Sequence, residues 1–382
     1  MKSFAPYHRM KTLFVVPTGQ AFGSEKSLLG LLSAARQIIP HVICAPIGPL
    51  NTTLQTMGIN TYTIEFGKYA FKKQPLWHLM FLIKIIIIIK KVNPDVLVIN
   101  LEGNTPLIVF AAFLMRVPVI RFSRFEFTPP KRWIDKLSWL KCAAVICPSD
   151  YVCQQVLSWV PSHHSLIVQR LYNPQAIDSS VQCLEDDTGS KGSSKIIVFL
   201  GRIHPGKRVD TVIRALQRLK LADFTIRLLI VGSPEKSVEG EAYFQSMVSL
   251  VNHLGLEDSV DFLGYRNDIP AIMSVCDACV LPSESESFGR VLVEAWACEV
   301  PTVASNVSGC REITLASKGG FLAEVGDDEE FAGCILQLLE NPLLSKEMGR
   351  LGKKWVTENC NPQIYAEAFE NIIYRSLNAN KG

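Results

Sequence analysis

Short apolar runs rich in β-branched residues alternate with helical patterns along almost the whole chain, and this alternation restricts the fold more than any other feature. Residues 12–16 and 96–100 have the composition of buried strands, and a helical pattern over 76–91 lies between them. Such alternation is typical of parallel α/β folds, because a crossover must return the chain between parallel strands. The pattern restarts at residues 196–200. We therefore predict two Rossmann-like domains with parallel sheets facing across a cleft.

The composition also places a boundary between the two series. Residues 176–195 are polar and poor in large apolar side chains, which is typical of a linker or an exposed loop. We predict an N-terminal domain over residues 1–175 and a C-terminal domain over residues 196–361. We expect a final helix at about residues 362–382 to pack back on the N-terminal domain.

Charge is unevenly distributed between the two halves. Residues 1–175 hold 19 Lys and Arg against 7 Asp and Glu, a balance of +12. The remaining residues hold 20 against 29, a balance of −9, which leaves the whole chain at +3. A cationic half indicates an anionic partner, and lipid headgroups and nucleic acid are both candidates on charge alone.

Cysteine usage and the chain start indicate a cellular location. The 11 Cys show no paired framework spacing, which is typical of reduced thiols in a cytosolic protein. The first 11 residues are polar and basic, and the apolar run that follows is too short for a signal peptide. The longest apolar stretch, residues 76–89, is shorter than a membrane-spanning helix. We expect a cytoplasmic protein without a transmembrane segment.

A basic loop follows the first strand of the second series. Residues 199–207 read Phe-Leu-Gly-Arg-Ile-His-Pro-Gly-Lys, so that Gly201 permits a tight turn and two cations, Arg202 and Lys207, project from the loop. A helix beginning near Val209 would direct backbone N–H groups to the same place. This combination suits a diphosphate, while a basic surface loop is the alternative.

An acidic loop follows a later strand of the same series. Residues 282–295 read Pro-Ser-Glu-Ser-Glu-Ser-Phe-Gly-Arg-Val-Leu-Val-Glu-Ala. Glu286 lies in the loop, and Glu294 lies inside a helix that starts close to Gly289. Carboxylates near a helix start can be capping groups. They can equally accept hydrogen bonds from ribose and sugar hydroxyls, and these residues alone leave both interpretations open.

The two loops, in this order and about 80 residues apart, resemble the GT-B glycosyltransferases of glycosyltransferase family 4, or group 1. The resemblance implies a retaining, metal-independent glycosyltransferase of GT-B fold that needs no cofactor. It implies transfer from a nucleotide-diphosphate sugar, UDP- or GDP-linked, to a glycan or lipid-linked acceptor in cell-surface polysaccharide or glycolipid synthesis. Further segments that match are Gly23-Ser24-Glu25, Asn93-Pro94-Asp95-Val96, Tyr172-Asn173-Pro174 and Ser308-Gly309-Cys310-Arg311-Glu312-Ile313.

The resemblance also implies roles for individual residues. Arg202 and Lys207 would neutralise the donor diphosphate and stabilise the leaving nucleotide, and Glu286 would contact the donor sugar; these three are the predicted catalytic residues. Glu294 would hold the ribose. The leaving phosphate oxygen would take the acceptor's proton on the same face of the sugar. The remaining predicted donor-binding residues are Gly23, Gly201, Ser287, Phe288, Gly289 and Arg290.

One segment departs from the family pattern. Many relatives carry His after the strand that corresponds to residues 117–122, whereas this chain reads Arg-Phe-Ser-Arg-Phe-Glu over residues 121–126. We therefore regard Arg121, Arg124 and Glu126 as candidates for the acceptor side of the site.

A basic, apolar segment lies between the first strands. Residues 66–94 contain six Lys and no Asp or Glu. A helix that is apolar nearly all round is usually buried, and the alternative is contact with an anionic membrane surface. On the second interpretation the protein is peripheral at the inner face of the cell membrane and has no nucleic-acid partner. The predicted contact residues are Lys72, Lys73, Trp77, Lys84, Lys131, Arg132 and Trp133.

Other functions stay open at this stage. A nucleotide-sugar epimerase or a sugar phosphorylase could share the fold, and a degenerate binding protein would be consistent with the absent His. A nicotinamide-dependent dehydrogenase is disfavoured because no complete Gly-x-Gly-x-x-Gly follows the first strand.

Overall fold

The computed structural model describes residues 9–20, 23–66, 75–100, 105–162, 164–177, 194–220 and 225–379. The chain divides into two compact units, which are Met1–Pro174 with Asn361–Gly382 and Gln175–Cys360. Each unit is built on one parallel sheet with flanking helices, so the predicted α/β class with two Rossmann-like domains is confirmed. Lys72, Lys73 and most of the polar segment 176–195 lie outside the described residues.

The first unit contains a seven-stranded sheet in which each strand pairs in parallel with its neighbours, in the order β3-β2-β1-β4-β5-β6-β7. Val15 of the central strand pairs with Ile43 on one side and Ile99 on the other. Because both faces of this sheet are covered, the central strands are continuous apolar runs. The strands are β1 Met10–Val16, β2 Ile38–Cys44, β3 Asn60–Thr63, β4 Val96–Ile99, β5 Val119–Phe122, β6 Ala144–Cys147 and β7 Ile167–Arg170.

Helices cover both faces of this sheet. Leu13 and Val15 of β1 pack against α3, α4, α5 and α6, whereas Phe14 and Val16 pack against α1, α2 and α14. The alternation follows from the two-residue period of a strand. Phe369 of α14 stacks on Phe14, so the C-terminal helix forms part of the core of this unit. The helices are α1 Gly23–Ala34, α2 Pro49–Thr56, α3 Pro75–Val92, α4 Thr105–Leu114, α5 Trp133–Leu140, α6 Asp150–Trp159 and α14 Pro362–Ala379.

Helix α3 is neither wholly buried nor wholly exposed. Phe81, Ile85 and Ile89 are buried in the core, while Ile83 and Ile87 face outward. Of the two interpretations of this segment, burial therefore applies to one side of α3 and leaves the other side exposed. In the described part of the chain, no helix combines the length and the hydropathy needed to cross a bilayer.

The second unit contains a six-stranded parallel sheet in the order β10-β9-β8-β11-β12-β13. All strands are parallel, but the order in which the chain adds strands switches at β8. After β8 the chain adds β9 and β10 on one side, and it then adds β11 on the other side, where Val280 pairs with Phe199. The strands are β8 Lys195–Leu200, β9 Ile226–Val231, β10 Val260–Gly264, β11 Ala278–Leu281, β12 Thr302–Ser305 and β13 Gly320–Ala323. The helices are α7 Val209–Lys220, α8 Val238–His253, α9 Ile269–Ser274, α10 Arg290–Ala297, α11 Ser308–Ser317, α12 Asp328–Glu340 and α13 Pro342–Asn359.

Candidate functional site

The candidate site lies in the second unit, at the carboxyl ends of β8 and β11. These adjacent strands are separated in sequence by β9 and β10, so the loops that follow them diverge to opposite sides of the sheet. In open α/β sheets such a switch in strand order leaves a crevice where ligands bind. The basic loop follows β8 and the acidic loop follows β11. The topology therefore brings the two sequence motifs next to each other at the carboxyl end of the sheet.

A single 3₁₀ turn, Pro205–Lys207, holds Lys207 in the basic loop. His204 precedes the turn and caps it, since its Nδ1 accepts a hydrogen bond from the Gly206 N–H at 3.0 Å. Burial lowers the pKa of His204, and the neighbouring cations Arg202 and Lys207 lower it further. A lowered pKa favours the neutral imidazole, which is the form that an Nδ1 acceptor requires.

The acidic loop is tied directly to the basic loop. The N–H of Glu284 donates to the carbonyl oxygen of Gly206 at 2.9 Å. The carboxylate of Glu286 forms an ion pair with the ammonium of Lys207 and accepts a hydrogen bond of 3.0 Å from the buried hydroxyl of Ser283. These contacts fix a cation and a carboxylate side by side at the end of the sheet.

Helix α10 begins beside this pair. Gly289 is its N-cap with φ of 89°, a left-handed conformation that favours glycine. Within the helix, Nε of Arg290 lies 3.0 Å from Oε1 of Glu294, and both side chains are largely buried. Nη2 of Arg290 also donates to Oε1 of Gln175 at 3.3 Å. The first-turn N–H groups of a helix have no intrahelical partner, so this end of α10 can bind an anion.

Gly309 supports the backbone next to Glu286. Its N–H donates to the carbonyl oxygen of Glu286 at 2.9 Å. A Cβ atom at this position would lie 2.5 Å from the Ser287 oxygen and 2.6 Å from the Phe288 nitrogen. Only glycine fits here without moving residues 287 and 288. The side chain of Phe288, in the same segment, is buried.

Arg208 links the same two loops through side chains. It ends the 3₁₀ turn in the left-handed conformation, with φ of 49°. Its guanidinium lies 3.1 Å from Asp210 and 3.5 Å from Glu284, which belongs to the acidic loop. The hydroxyl of Tyr243 donates to Asp210 at 3.0 Å and continues this network into α8. Arg208 is therefore a positioning residue for the candidate site.

The structure brings together some of the predicted residues and separates others. Lys207 and Glu286 are in direct contact, whereas the exposed guanidinium of Arg202 lies 3.5 Å from Glu235. Glu294 pairs with Arg290. Sequence reasoning missed Ser283 and Arg208. The signal for Ser283 was its place two residues after β11 and three residues before Glu286, but nothing local marked the long-range partners of Arg208.

The predicted acceptor-side residues lie in the first unit, at and after β5. Arg121 is buried within β5, and its guanidinium stacks on the Trp139 ring, 3.7 Å from the centroid. Arg124 donates to Oδ1 of Asn100 at 2.6 Å and to Oδ1 of Asn173 at 2.8 Å. This arrangement forms a polar cluster at the carboxyl end of that sheet.

Two further predicted residues, Glu126 and Gly23, also lie in the first unit. Glu126 is half-buried, and Gly23 is the first residue of α1, where its carbonyl oxygen accepts from the Ser27 hydroxyl at 3.0 Å. Within the described ranges, His, Cys, Asp and Glu side chains form no group of three or more that could hold a metal ion.

Chemically, the site of the second unit combines groups that recognise different parts of one ligand. An ammonium and a helix N-terminus can bind phosphate oxygens. Carboxylates such as Glu286 and Glu294 can accept hydrogen bonds from hydroxyl groups. Such a set suits a ligand that carries both phosphates and several hydroxyls.

Comparison with known proteins agrees with this chemistry. Residues 183–355 match the family described as Glycosyl transferases group 1. The chain is 32% identical over 245 residues to N-acetyl-alpha-D-glucosaminyl L-malate synthase of Bacillus anthracis, over 61% of each protein. It is 34% identical over 155 residues to D-inositol 3-phosphate glycosyltransferase of Mycobacterium marinum, over 40% of this chain and 32% of that protein. The matches thus span about three fifths and about a third of these relatives.

A solved structure extends the likeness to nearly the full chain. Anabaena Alr3699/HepE in complex with UDP and glucose superposes with a TM-score of 0.80 at 20% sequence identity, over 96% of this chain and 99% of that one. At this identity the likeness shows the fold, and the two parallel sheets with flanking helices are those of GT-B proteins. Residues 183–355, which lie mostly in the second unit, are thus similar to the group 1 glycosyltransferases, and the architecture of the described residues is that of the GT-B fold.

Proposed function

We propose that this protein is a retaining glycosyltransferase that moves a hexose-type sugar from a nucleotide-diphosphate sugar to a glycan or lipid-linked acceptor. The observation that carries the proposal is the contact between Lys207 and Glu286 at the switch point of the second sheet. One side chain of this pair is suited to the diphosphate and the other to sugar hydroxyls.

We infer that donor binding exchanges the partners of this pair. The diphosphate would take the ammonium of Lys207, and Glu286 would turn its oxygens to the sugar hydroxyls. Arg202, whose exposed side chain pairs with Glu235, would turn to the same phosphates. Two cations at the leaving group would stabilise the negative charge that develops as the glycosidic bond breaks.

The remaining roles follow from position. Glu294 would accept hydrogen bonds from the ribose, while Ser287, Phe288, Gly289 and Arg290 would present backbone groups to the sugar and phosphates. The bond from the anomeric carbon to the phosphate oxygen breaks, and the bond to the acceptor oxygen forms on the same face. The departing phosphate oxygen would receive the acceptor's proton. Because the new bond forms on the face from which the phosphate departs, the anomeric configuration is retained.

The donor proposed first is a UDP-hexose. UDP and glucose are the molecules named for the Anabaena protein of similar fold. On the acceptor side, the polar cluster of Arg124, Asn100 and Asn173 offers donors and acceptors for hydroxyl groups. We propose that this cluster contributes to acceptor binding in place of the histidine found in many relatives.

The test is hydrolysis and transfer with a panel of UDP-, GDP- and ADP-sugars. We expect turnover of one donor class, loss of turnover in Glu294→Ala, and an NMR spectrum of the product in which the donor's anomeric configuration is kept. We also expect activity to persist in EDTA, because protein cations neutralise the diphosphate. An inverted product, or full activity in Glu294→Ala, would refute the mechanism. Activity that is lost in EDTA and restored by Mg²⁺ would refute metal independence.

A further inference from the structure

The outer surface of the first unit carries a contiguous apolar face. Helices α3, α4 and α5 lie side by side on the same side of the sheet, α3 against α4 and α4 against α5. Each exposes large apolar side chains away from the core. We call this surface the outer apolar face, defined by Ile83, Ile87, Phe110, Phe113, Trp133 and Leu137.

The α3 part of the outer apolar face is a regular stripe. The exposed residues Leu79, Ile83 and Ile87 recur every four positions, so they lie one above another on one side of the helix. The buried residues Phe81 and Ile85 lie on the opposite side. Three lysines at positions 84, 90 and 91 are exposed along the same helix. The exposed surface of α3 thus combines an apolar stripe with three lysines.

The neighbouring helices continue the same character. Phe113 of α4 is 58% exposed, and Trp133 of α5 is 74% exposed. The ammonium of Lys141 lies 5.3 Å from the centroid of the Phe113 ring, which places a cation at the border of the apolar surface. Monomeric soluble proteins rarely expose large contiguous apolar patches, and such patches mark binding surfaces.

Charge around the outer apolar face is strongly positive. The helices α3, α4 and α5 and the residues that flank them expose eight cations, which are Lys84, Lys90, Lys91, Arg116, Lys131, Arg132, Lys136 and Lys141. The acid that belongs to α5, Asp135, is neutralised by Arg132 at 2.6 Å. An apolar centre with a cationic border matches the interface of an anionic bilayer, where apolar side chains enter between headgroups and lysines pair with phosphates.

The charge also argues against a second copy of this chain as the occupant. A symmetric dimer through the outer apolar face would place the same cationic border on both partners, and like charges across an interface are unfavourable. We propose that the outer apolar face docks this protein peripherally on an anionic membrane surface. The inference goes beyond the proposed transfer reaction and does not depend on it.

Co-sedimentation with liposomes tests the proposal without any sugar donor. The full chain is mixed with vesicles of phosphatidylcholine alone or of phosphatidylcholine with phosphatidylglycerol, at low and high salt. We expect binding to the anionic vesicles that weakens with salt, and no binding to the neutral ones. No binding to the anionic vesicles at low salt, or equal binding to both kinds, would overturn the proposal.

Two variants locate the surface. Ile83→Gln with Ile87→Gln removes apolar contact, and Lys84→Glu with Lys90→Glu reverses charge on the same helix. All four residues are exposed, so the fold tolerates the changes. We expect each pair to weaken vesicle binding about tenfold or more.

Matched controls come from exposed helical residues of the second unit. Leu315→Gln with Leu343→Gln and Lys346→Glu with Lys354→Glu make the same chemical changes there. We expect these controls to bind vesicles as the parent does. Equal losses in the control pairs would overturn the proposal. The proposal would also be overturned if analytical ultracentrifugation showed a dimer that the α3 variants abolish while their vesicle binding stays like that of the parent. Donor hydrolysis by the α3 variants reports separately on the transfer reaction.

Discussion

Lys207 and Glu286 form an ion pair although 79 residues separate them in the chain. Both side chains are largely buried, with 20% and 17% of their surfaces exposed, and Ser283 adds a hydrogen bond to the carboxylate. Separating the two partners would leave each buried charge uncompensated, which is unfavourable. The pair therefore holds the two loops in one arrangement. On the proposed function, a diphosphate sugar would offer replacement partners to both groups, and the pair would be a preformed receptor for that ligand.

Gly309 should be needed for full donor turnover because Ser287 and Phe288 leave no space for a side chain at this position. In Gly309→Ala the new Cβ would lie 2.5 Å from the backbone carbonyl oxygen of Ser287 and displace the backbone that we propose binds the donor. We expect the free energy of unfolding to fall by about 1–3 kcal/mol and kcat/KM for the donor to fall about tenfold or more. Chemical denaturation and steady-state kinetics measure the two effects.

Gly333→Ala is the matched control for this substitution. Gly333 lies in α12, and a Cβ there would meet no atom within 4 Å. We expect a gain in stability of about 0.5–1 kcal/mol and unchanged kinetics. Equal kinetics in Gly309→Ala and Gly333→Ala would contradict the assignment of Gly309 to the donor site.

His204 should make stability depend on pH. Its pKa lies below the ordinary value because burial disfavours the imidazolium, with further repulsion from Arg202 and Lys207. The unfolded chain takes up a proton near pH 6.5, while the folded chain resists it. The stability present above that pH is therefore lost as pH falls towards the folded pKa.

We expect the thermal midpoint of the parent to fall more steeply than that of His204→Asn between about pH 7 and pH 5. The amide oxygen of Asn can still accept the Gly206 N–H, so the cap is kept while the titrating group is removed. Parallel pH profiles for the two proteins would show that His204 does not contribute.

Arg208→Lys should weaken donor binding indirectly, through the position of the two loops. Lysine lacks the planar fork that reaches both Asp210 and Glu284, so the tie between the loops would weaken. We expect KM for the donor to rise about tenfold, since a small misplacement of binding groups is costly. Arg350→Lys, in the exposed pair with Glu347, is the control and should leave KM unchanged. An unchanged KM in Arg208→Lys would contradict a positioning role.

The fold and the two loops of the second unit could be predicted from sequence because both are local patterns. Alternating strand and helix signals predict the parallel sheets, and the two motifs sit at the ends of β8 and β11. Strand order then brings Lys207 and Glu286 together. The partner of Arg202 could not be predicted, because an exposed side chain can turn in several directions and only the folded loop places Glu235 beside it.

The exposed side of α3 was also beyond sequence reasoning. The helix is apolar nearly all round, so hydropathy alone does not distinguish Ile85, which is buried, from Ile87, which is exposed. The distinction arises from which side of the helix packs on the sheet and on α4. Trp77, predicted as a membrane contact, is half-buried and stacks on Phe81 at 5.2 Å between ring centroids.

The most direct test of the central claim is the affinity for UDP measured by isothermal titration calorimetry in Lys207→Ala. We expect Kd to rise about 30-fold, corresponding to the loss of about 2 kcal/mol for a charge-assisted contact. Lys353→Ala, which breaks another half-buried Lys–Glu pair in the same unit, should leave Kd unchanged. A parent-like Kd in Lys207→Ala, or an equal rise in Lys353→Ala, would contradict the account.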